Sequence, residues 1–258
     1  MRYFINLAYD GTHYHGWQIQ PNAVSVQQLV NEALEKITRE KVNVIGCGRT
    51  DTGVHASYFV LHVDFDNEIN DLDKFTYHLN AVLPKDIVVY ETRPVANDLH
   101  ARFSATAREY HYFLSKTPHP YLYPFTKPLV KRPDIQNLHK AAKIIAQNTD
   151  FASFCKAHAA NKTNICHVTE SEWIETDDLL VYRIKADRFL RNMVRALVGT
   201  MLEIAYGKRS IETLQQVFNT QNRSKAGMSA APEGLFLTGV WYPDDIFEQS
   251  SRLPFPVQ

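Results

Sequence analysis

SVQQLVNEALEKI (residues 25–37) predicts a helix with one buried face, and the strands on either side of it indicate the architecture. Its apolar residues recur at positions 26, 29, 30, 33, 34 and 37, which is the spacing of one side of an α-helix. Ser25, with Gln28 three residues later, is a capping-box pattern that predicts where the helix begins. We therefore expect an amphipathic helix over residues 26–40.

The segments around this helix alternate between strand and helix patterns. Pro84 stops a second helical pattern over residues 72–82. Runs rich in β-branched and aromatic residues predict strands at 2–9, 42–48, 57–65 and 86–95. The first 95 residues thus read β-α-β-β-α-β, the order of a ferredoxin-like split βαβ unit.

The remainder of the chain repeats this order loosely, which predicts an α+β fold of two halves. A proline-rich segment, 118–133, is too rich in proline for regular structure, and Asp134 then caps a helix. We expect strands at 107–115, 166–176, 179–187 and 233–243 and helices at 189–206 and 210–219. The boundary is expected within 96–106, giving an N-terminal half, 1–100, and a C-terminal half, 101–258.

Composition is that of an ordinary globular protein. The 258 residues are 45% apolar and 22% charged, which is enough for a sizeable core. The three cysteines are odd in number and lack CxxC spacing, so a disulfide framework or zinc ribbon is not expected. The N-terminus does not resemble a signal peptide, and no stretch is apolar enough to span a membrane. We expect a cytoplasmic protein.

Charge is balanced overall but unevenly distributed. The 28 basic and 28 acidic residues give a net charge of zero, whereas nucleic-acid binders are usually basic. Residues 100–132 hold six Lys or Arg and one acid, and residues 188–225 hold seven and two. Acids concentrate in 64–73 and 170–178. Such segregation produces either opposite faces in space or ordinary solvated surfaces, and charge alone does not choose between them.

CGRTDTGVHA (47–56) joins two predicted strands through a glycine-containing loop. Gly48 and Gly53 permit tight turns and close approach of another chain. Asp51, a carboxylate near Arg49, would stay ionised and act as a base or nucleophile. The alternative is an Arg–Asp pair that only stabilises the turn.

Two further segments carry cations in a suggestive arrangement. Arg188, Arg191 and Arg195 share one face of the predicted helix and lie near its start, where the helix dipole disfavours cations, so an anionic partner is expected. The alternative is a solvated polar face. In HARFSATAREYHYFL (100–114), basic residues that suit phosphate alternate with aromatic rings that suit splayed bases, although a packed strand face gives the same pattern. The basic residues of this segment are His100, Arg102, Arg108 and His111, and the aromatic residues are Phe103, Tyr110, Tyr112 and Phe113.

A metal site is the weaker interpretation of the histidines in GTHYHGW (11–17). His13 and His15, with Asp10 or His55, offer N and O ligands, but a single HxH is a weak signal. No P-loop, GxGxxG or nucleophile elbow is present. We predict neither a metal nor a cofactor.

GRTDTGVHA (48–56) resembles the GRTDxGVHA motif of the tRNA pseudouridine synthase A family. The resemblance spans nearly the whole chain, and its motifs occur in the family's order. Thr52 departs from the alanine that is common there, and 225–235 varies in a loop. The other matching motifs are YDGTHYHGWQIQ (9–20), SVQQLVNEAL (25–34), NAVLPKDI (80–87), HARFSATAREYHYFL (100–114), DFASFC (150–155), FLRNMVRALVGTM (189–201) and EGLFLTGVWYP (233–243).

The resemblance implies an isomerase that converts uridine to pseudouridine at nucleotides thirty-eight to forty of the tRNA anticodon stem-loop, by base flipping and without a cofactor. It implies that Asp51 is the catalytic aspartate and that Arg195 is its ion-pair partner. Tyr110 matches the active-site tyrosine, and Arg49 is expected to hold the target base out of the stack. His55 is expected to shape the loop. Arg102, Arg108, Arg188 and Arg191 are expected to contact RNA.

The family also implies a homodimer with tRNA lying across both subunits. Its two ferredoxin-like halves share one large mixed, mainly antiparallel sheet, with helices packed on one side. The N-terminal half would carry the aspartate loop, and the C-terminal half would carry the tyrosine and arginine. Two other functions stay open: a non-catalytic module that binds or folds tRNA, and a metal-dependent hydrolase using Asp10, His13, His15 and His55.

Overall fold

A computed structural model describes residues 1–156, 162–243, 246–247 and 252–255. These residues form five α-helices: α1 (Val26–Thr38), α2 (Leu72–Val82), α3 (Ile135–Ala146), α4 (Met193–Ala205) and α5 (Glu212–Thr220). The strands are β1 (Arg2–Tyr9), β2 (Ile45–Gly46), β3 (His55–Asp64), β4 (Ile87–Val95), β5 (Ala107–Ser115), β6 (Lys127–Pro128), β7 (Val168–Glu175), β8 (Leu179–Ala186) and β9 (Leu235–Trp241).

The strands belong to one mixed sheet, as predicted. Its order is β4-β1-β3-β9-β5-β8-β7, with β2 paired to β3 and β6 paired to β5. β1 is antiparallel to β3 and β4, and β8 is antiparallel to β5 and β7, whereas β6 is parallel to β5. The order β4-β1-β3 with β2 beyond β3 is that of a split βαβ unit, which confirms the α+β fold class.

The chain divides into two compact units. The first comprises Met1–Thr106 and Leu237–Pro254, and the second comprises Ala107–Phe236 and Phe255–Gln258. In the first unit α2 packs against β4 and α1. In the second, α3 packs against β7, α4 and α5.

Helix α1 forms where its sequence predicts, because its cap and its apolar face agree. The Ser25 hydroxyl accepts a hydrogen bond from the Gln28 N–H at 3.4 Å. The buried face includes Val26, Val30 and Leu34. The helix ends at Arg39, whose φ of 64° is left-handed.

The strand expected over 42–48 is wrong in length, since only Ile45–Gly46 pairs with β3. Side chains of α1 take the backbone groups that a longer ladder would use. Asn31 Oδ1 accepts from the Val44 N–H at 3.1 Å, and Gln27 Nε2 donates to the Val44 carbonyl at 2.8 Å. The preceding segment is thereby held against a helix instead of a strand.

The helix expected from residue 189 begins at Met193. Asn192 precedes it with a left-handed φ of 66°, and the Met193 N–H donates to the Leu190 carbonyl in a turn. The prediction that Arg188, Arg191 and Arg195 share a helix face is therefore wrong: Arg195 is helical, whereas Arg188 and Arg191 lie before the helix.

Within the part of the chain that the structure describes, no helix combines the length and the apolar character needed to cross a bilayer.

Candidate active site

The loop that carries Asp51 connects β2 to β3 and is fixed by its backbone. The Thr50 carbonyl accepts from the Trp17 N–H at 3.3 Å, and the Gly53 N–H donates to the Tyr14 carbonyl at 3.2 Å. The Thr50 hydroxyl lies 2.9 Å from the Tyr9 hydroxyl. Asp51 is half-buried on this anchored loop, so its carboxylate is held in place without being closed off from solvent.

Two glycines permit this arrangement. Gly53 has a φ of +73°, a conformation that side chains with a Cβ rarely adopt. Gly16 has a φ of +83°, and a Cβ there would lie 2.3 Å from the Thr50 carbonyl oxygen. At Gly16, the GTHYHGW segment therefore contacts the aspartate loop through its backbone, with no side chain between them.

His55 is fully buried beside the same loop. Its Nδ1 lies 3.0 Å from the Gly11 nitrogen and 3.0 Å from Asp10 Oδ1. The Gly11 N–H and the Asp10 carboxylate thus both lie at this ring nitrogen, and Asp10 is also held by the Thr12 N–H at 2.9 Å and by the Thr12 hydroxyl. His55 thus anchors backbone at the end of β1.

The histidines considered as metal ligands do not gather into one site. His13 and His15 are exposed, whereas His55 is buried. Among the described residues, no group of three or more His, Cys, Asp or Glu side chains is placed to hold a metal ion.

A cavity of about 190 Å³ lies in the first unit next to the aspartate loop. It brings together Arg49 and Arg102, two residues predicted to bind substrate, and both are exposed. Its remaining lining residues are polar, apolar and glycine: Trp17, Gln18, Gln27, Asn43, Val44, Ile45, Gly46 and Gly48.

Trp17 and Gln27 build the wall of this cavity. The Trp17 ring stacks on Phe59 with 4.1 Å between centroids. Gln27 Oε1 accepts from Gln18 Nε2 at 2.7 Å and from the Ile19 N–H at 3.0 Å. Both residues are nearly fully buried, so this wall of the cavity is rigid. The two arginines that line the cavity are exposed.

In the second unit, Tyr110 lies half-buried on β5. Its ring meets Phe189 edge to face, with 4.9 Å between centroids and an interplanar angle of 82°. Arg108, two residues earlier, donates from Nη1 to the Asp187 carbonyl at 2.9 Å. Phe189 and Asp187 belong to the segment between β8 and α4, so this segment packs on β5 at the tyrosine.

Arg195 lies in the first turn of α4 and is half-buried. Its Nε donates to the Ala230 carbonyl at 2.7 Å, and the Ala230 N–H donates to the Arg195 carbonyl at 2.8 Å. The guanidinium is thereby oriented by backbone. Arg188 is half-buried and Arg191 exposed in the segment before the helix.

Sequence reasoning singled out Asp51 and its loop but missed two residues that build the neighbourhood. Trp17 and Gln27 act through contacts with residues distant in sequence, and a pattern of residue types does not reveal those contacts. The glycine before Trp17 is the signal that was available, since a glycine there allows a close approach of two loops. The catalytic roles of Asp51, Tyr110 and Arg195 stay predictions.

Comparison with known proteins identifies the family of this chain. The sequence pattern of the tRNA pseudouridine synthase family matches residues 6–104 and 141–243. The chain is 50% identical over 252 residues to a protein of Bacteroides fragilis named tRNA pseudouridine synthase A, covering 96% of this chain and 98% of that one.

Two other relatives with the same name have lower sequence identity to this chain. The protein of Bacteroides thetaiotaomicron is 47% identical, over 97% of this chain and 94% of its own length. The protein of Thermoanaerobacter sp. is 39% identical, over 92% and 98%. Because the family pattern and full-length relatives agree, this chain belongs to the tRNA pseudouridine synthase family.

Proposed function

We propose that this protein isomerises uridine to pseudouridine in tRNA, at nucleotides thirty-eight to forty of the anticodon stem-loop. The observation that carries the proposal is the anchored loop of Asp51, in a chain that belongs to the family over nearly its whole length. A half-buried carboxylate on a fixed loop suits chemistry at one defined atom.

The reaction breaks the C1′–N1 glycosidic bond, turns the uracil and joins C5 to C1′, while C5 loses its proton and N1 gains one. It is an isomerisation, so electrons balance without an outside oxidant or reductant. Asp51 supplies the carboxylate that acts as nucleophile or base, and its fixed loop gives that carboxylate a defined direction. A target inside a stem must leave the stack first, so base flipping precedes this step.

The other residues position the substrate. Tyr110 presents a half-buried ring that suits stacking on uracil and relaying the C5 proton. Arg195 orients the aspartate, a role supported by the contacts that fix its guanidinium through Ala230. Arg49 holds the target base out of the stack. Arg102, Arg108, Arg188 and Arg191 contribute phosphate contacts.

We further propose that the protein works in the cytoplasm as a homodimer with tRNA lying across both subunits. Sedimentation equilibrium of the purified protein tests the dimer. A single species of 29.6 kDa at micromolar concentration would contradict it.

Asp51→Asn tests the catalytic role. Asparagine keeps the size of the side chain but is neither a base nor a useful nucleophile, so turnover should be lost while tRNA affinity changes little. The measurement is tritium release from tRNA carrying C5-tritiated uridine, with affinity and melting temperature taken on the same preparation. Asp73→Asn removes an exposed carboxylate from α2 and should retain full release.

A purely structural Arg49–Asp51 pair predicts the reverse result. The Asp51→Asn protein would then melt at a lower temperature and keep its activity per folded molecule. Substantial release from a well-folded Asp51→Asn protein would refute the catalytic assignment. A wild-type protein that binds tRNA but releases no tritium would point to the non-catalytic module instead.

A further inference from the structure

The turn at residues 100–104 is built around the side chain of His100. Its Nδ1 accepts hydrogen bonds from the Arg102 N–H at 3.1 Å and from the Phe103 N–H at 3.2 Å. The His100 N–H donates to the Ser104 hydroxyl at 2.9 Å, and the Ser104 N–H returns to the His100 carbonyl at 2.9 Å. One imidazole therefore fixes the backbone on which Arg102 stands.

The turn rests on a rigid base in the first unit. The Ala101 N–H donates to Nδ1 of buried His62 at 3.1 Å, and the Tyr242 hydroxyl donates to the Ala101 carbonyl at 2.6 Å. Arg2 donates from Nη1 to the Leu99 carbonyl at 2.7 Å. With strands β1 and β3 supplying these partners, the turn has little freedom to move as a whole.

This turn presents cationic and aromatic groups to the solvent. Phe103 is 76% exposed, with its ring 4.4 Å from that of His100. Arg102 lines the cavity that Arg49 also lines. Among the described residues that line this cavity, two carry guanidinium groups and none carries a carboxylate. Two guanidinium groups at one cavity, with no carboxylate among its described lining residues, match the charge and the hydrogen-bonding geometry of a phosphate group.

We propose that this cavity binds one backbone phosphate of the RNA between Arg49 and Arg102, so that Arg49 holds the target base out of the stack through a phosphate beside it, and that His100 is the positioning residue that holds Arg102 there. This inference rests on the proposed function, because it takes tRNA as the ligand. It adds a defined phosphate site next to the aspartate loop and a residue that acts on it through backbone alone.

The salt dependence of binding tests the phosphate site. For an unmodified tRNA transcript, the slope of log affinity against log salt should become shallower by about 0.7 to 0.9 in the Arg49→Gln/Arg102→Gln double variant, the share of one phosphate. Affinity itself should fall about tenfold or more. Lys36→Gln, which removes an exposed cation on α1 outside the cavity, should change the slope less.

An unchanged slope in the double variant would overturn the site. A slope that becomes shallower by about twice the share of one phosphate would also overturn the site, since the two arginines would then contact separate phosphates. Tritium release by the wild-type protein is measured in parallel. Absence of release in the wild type would sink the proposed function, whereas the slopes judge the phosphate site separately.

His100→Asn and His100→Ala test the positioning role. The asparagine oxygen can accept an N–H from two residues on, as in an Asx turn, whereas alanine offers no acceptor. We expect alanine to weaken tRNA affinity about as much as Arg102→Gln does, and asparagine to restore it. Melting temperatures confirm that each variant is folded. Equal weakening by both substitutions, or by neither, would contradict the role.

The pH profile separates positioning from simple packing. The imidazole must be unprotonated at Nδ1 to accept both N–H groups, and burial together with Arg2 lowers the pKa of His100 below its ordinary value. The charged or titratable groups around it are Arg2 on β1, His62 and Asp64 on β3, Tyr242, and Arg102 on its own turn. The affinity of wild type relative to His100→Asn should be constant above about pH 6.5 and decline below it. A ratio that does not change with pH would contradict the mechanism.

Discussion

Arg195 illustrates how one side chain can be fixed by backbone and still offer charge. Its Nε is engaged by the Ala230 carbonyl, and its own carbonyl accepts from the Ala230 N–H. The remaining nitrogens of a guanidinium point away from Nε in a planar fork, so the contact with Ala230 defines where they are directed. An arginine can therefore serve a carbonyl and a carboxylate at once.

Arg195→Lys should consequently lower turnover by a large factor, at least about tenfold, because one ammonium nitrogen cannot reproduce the fork. Tritium release under saturating tRNA measures the effect. Arg39→Lys is the matched control, since Arg39 is exposed at the end of α1, and it should retain full activity. Wild-type turnover in Arg195→Lys would reduce Arg195 to a structural or phosphate contact.

At the scale of elements, the helices were predictable because an amphipathic period and a cap are local signals. Asp134 accepts from the Asn137 N–H at 3.0 Å at the start of α3, as its sequence predicts. The start of α4 was not predictable, because Asn192 adopts a left-handed conformation inside an apolar period that looks continuous. The shortened β2 has a similar cause, since Asn31 and Gln27 capture backbone from a distance.

The candidate site shows the same difference between local sequence signals, which can be predicted, and contacts to backbone atoms, which cannot. Asp51 was singled out because charge on a glycine-containing connection between strands is unusual, and its catalytic role stays a prediction. Gln27 was predicted only to lie within α1, and nothing in its neighbours indicates that it ties residues 18–19 to residue 44. His100 was assigned only to a basic segment. Contacts to backbone atoms leave no trace in residue type, so positioning residues are harder to predict than reacting ones.

The approach of the GTHYHGW segment to the aspartate loop is testable at Gly16. Gly16→Ala should destabilise the protein by more than about 1 kcal/mol, because a left-handed alanine is strained and its Cβ would meet the Thr50 carbonyl. Turnover should fall as well, since relief of the clash moves the loop of Asp51. Urea unfolding and tritium release measure the two effects.

Gly48→Ala is the control from the same loop, because a Cβ at Gly48 would meet nothing within 4 Å. Its stability should stay close to that of the wild type. If the two alanine variants were equally stable, the close approach at Gly16 would not matter for the fold.

At the scale of the whole molecule, part of the charge segregation is structural. Arg183 on β8 pairs with buried Glu109 at 2.9 Å, with Glu170 at 2.5 Å and with Glu172 at 3.1 Å. Lys185 lies 3.6 Å from Glu170. Two acids of the segment 170–178 thus pair with cations of the same sheet, so they do not form a separate acidic face.

Buried histidines make the stability of the folded chain sensitive to acid. Burial, with Arg2 and His100 nearby, lowers the pKa of His62 to about 4. Burial likewise lowers the pKa of His111 to about 4, with Arg183 adding to the effect and Glu109 opposing it. Both rings are neutral in the folded protein at pH 5, whereas the unfolded chain is protonated there because an ordinary histidine titrates near 6.5. The unfolded state therefore binds more protons, and folding stability falls as pH falls between 6.5 and about 4.

Each histidine should contribute a slope of about 1.4 kcal/mol per pH unit in that window. Urea unfolding between pH 7.5 and 4.5 measures the slope, which is taken between pH 6.5 and 5.5, where ordinary carboxylates are still almost fully ionised. His111→Asn removes one titrating group, so its slope should be shallower by about that amount even if its stability at pH 7 is lower. His13→Asn alters an exposed histidine and should leave the slope unchanged. If the free energy of unfolding of the wild type did not change down to pH 4.5, His62 and His111 would accept protons without loss of the fold. The same result would remove the reason to expect the 100–104 turn to weaken in acid.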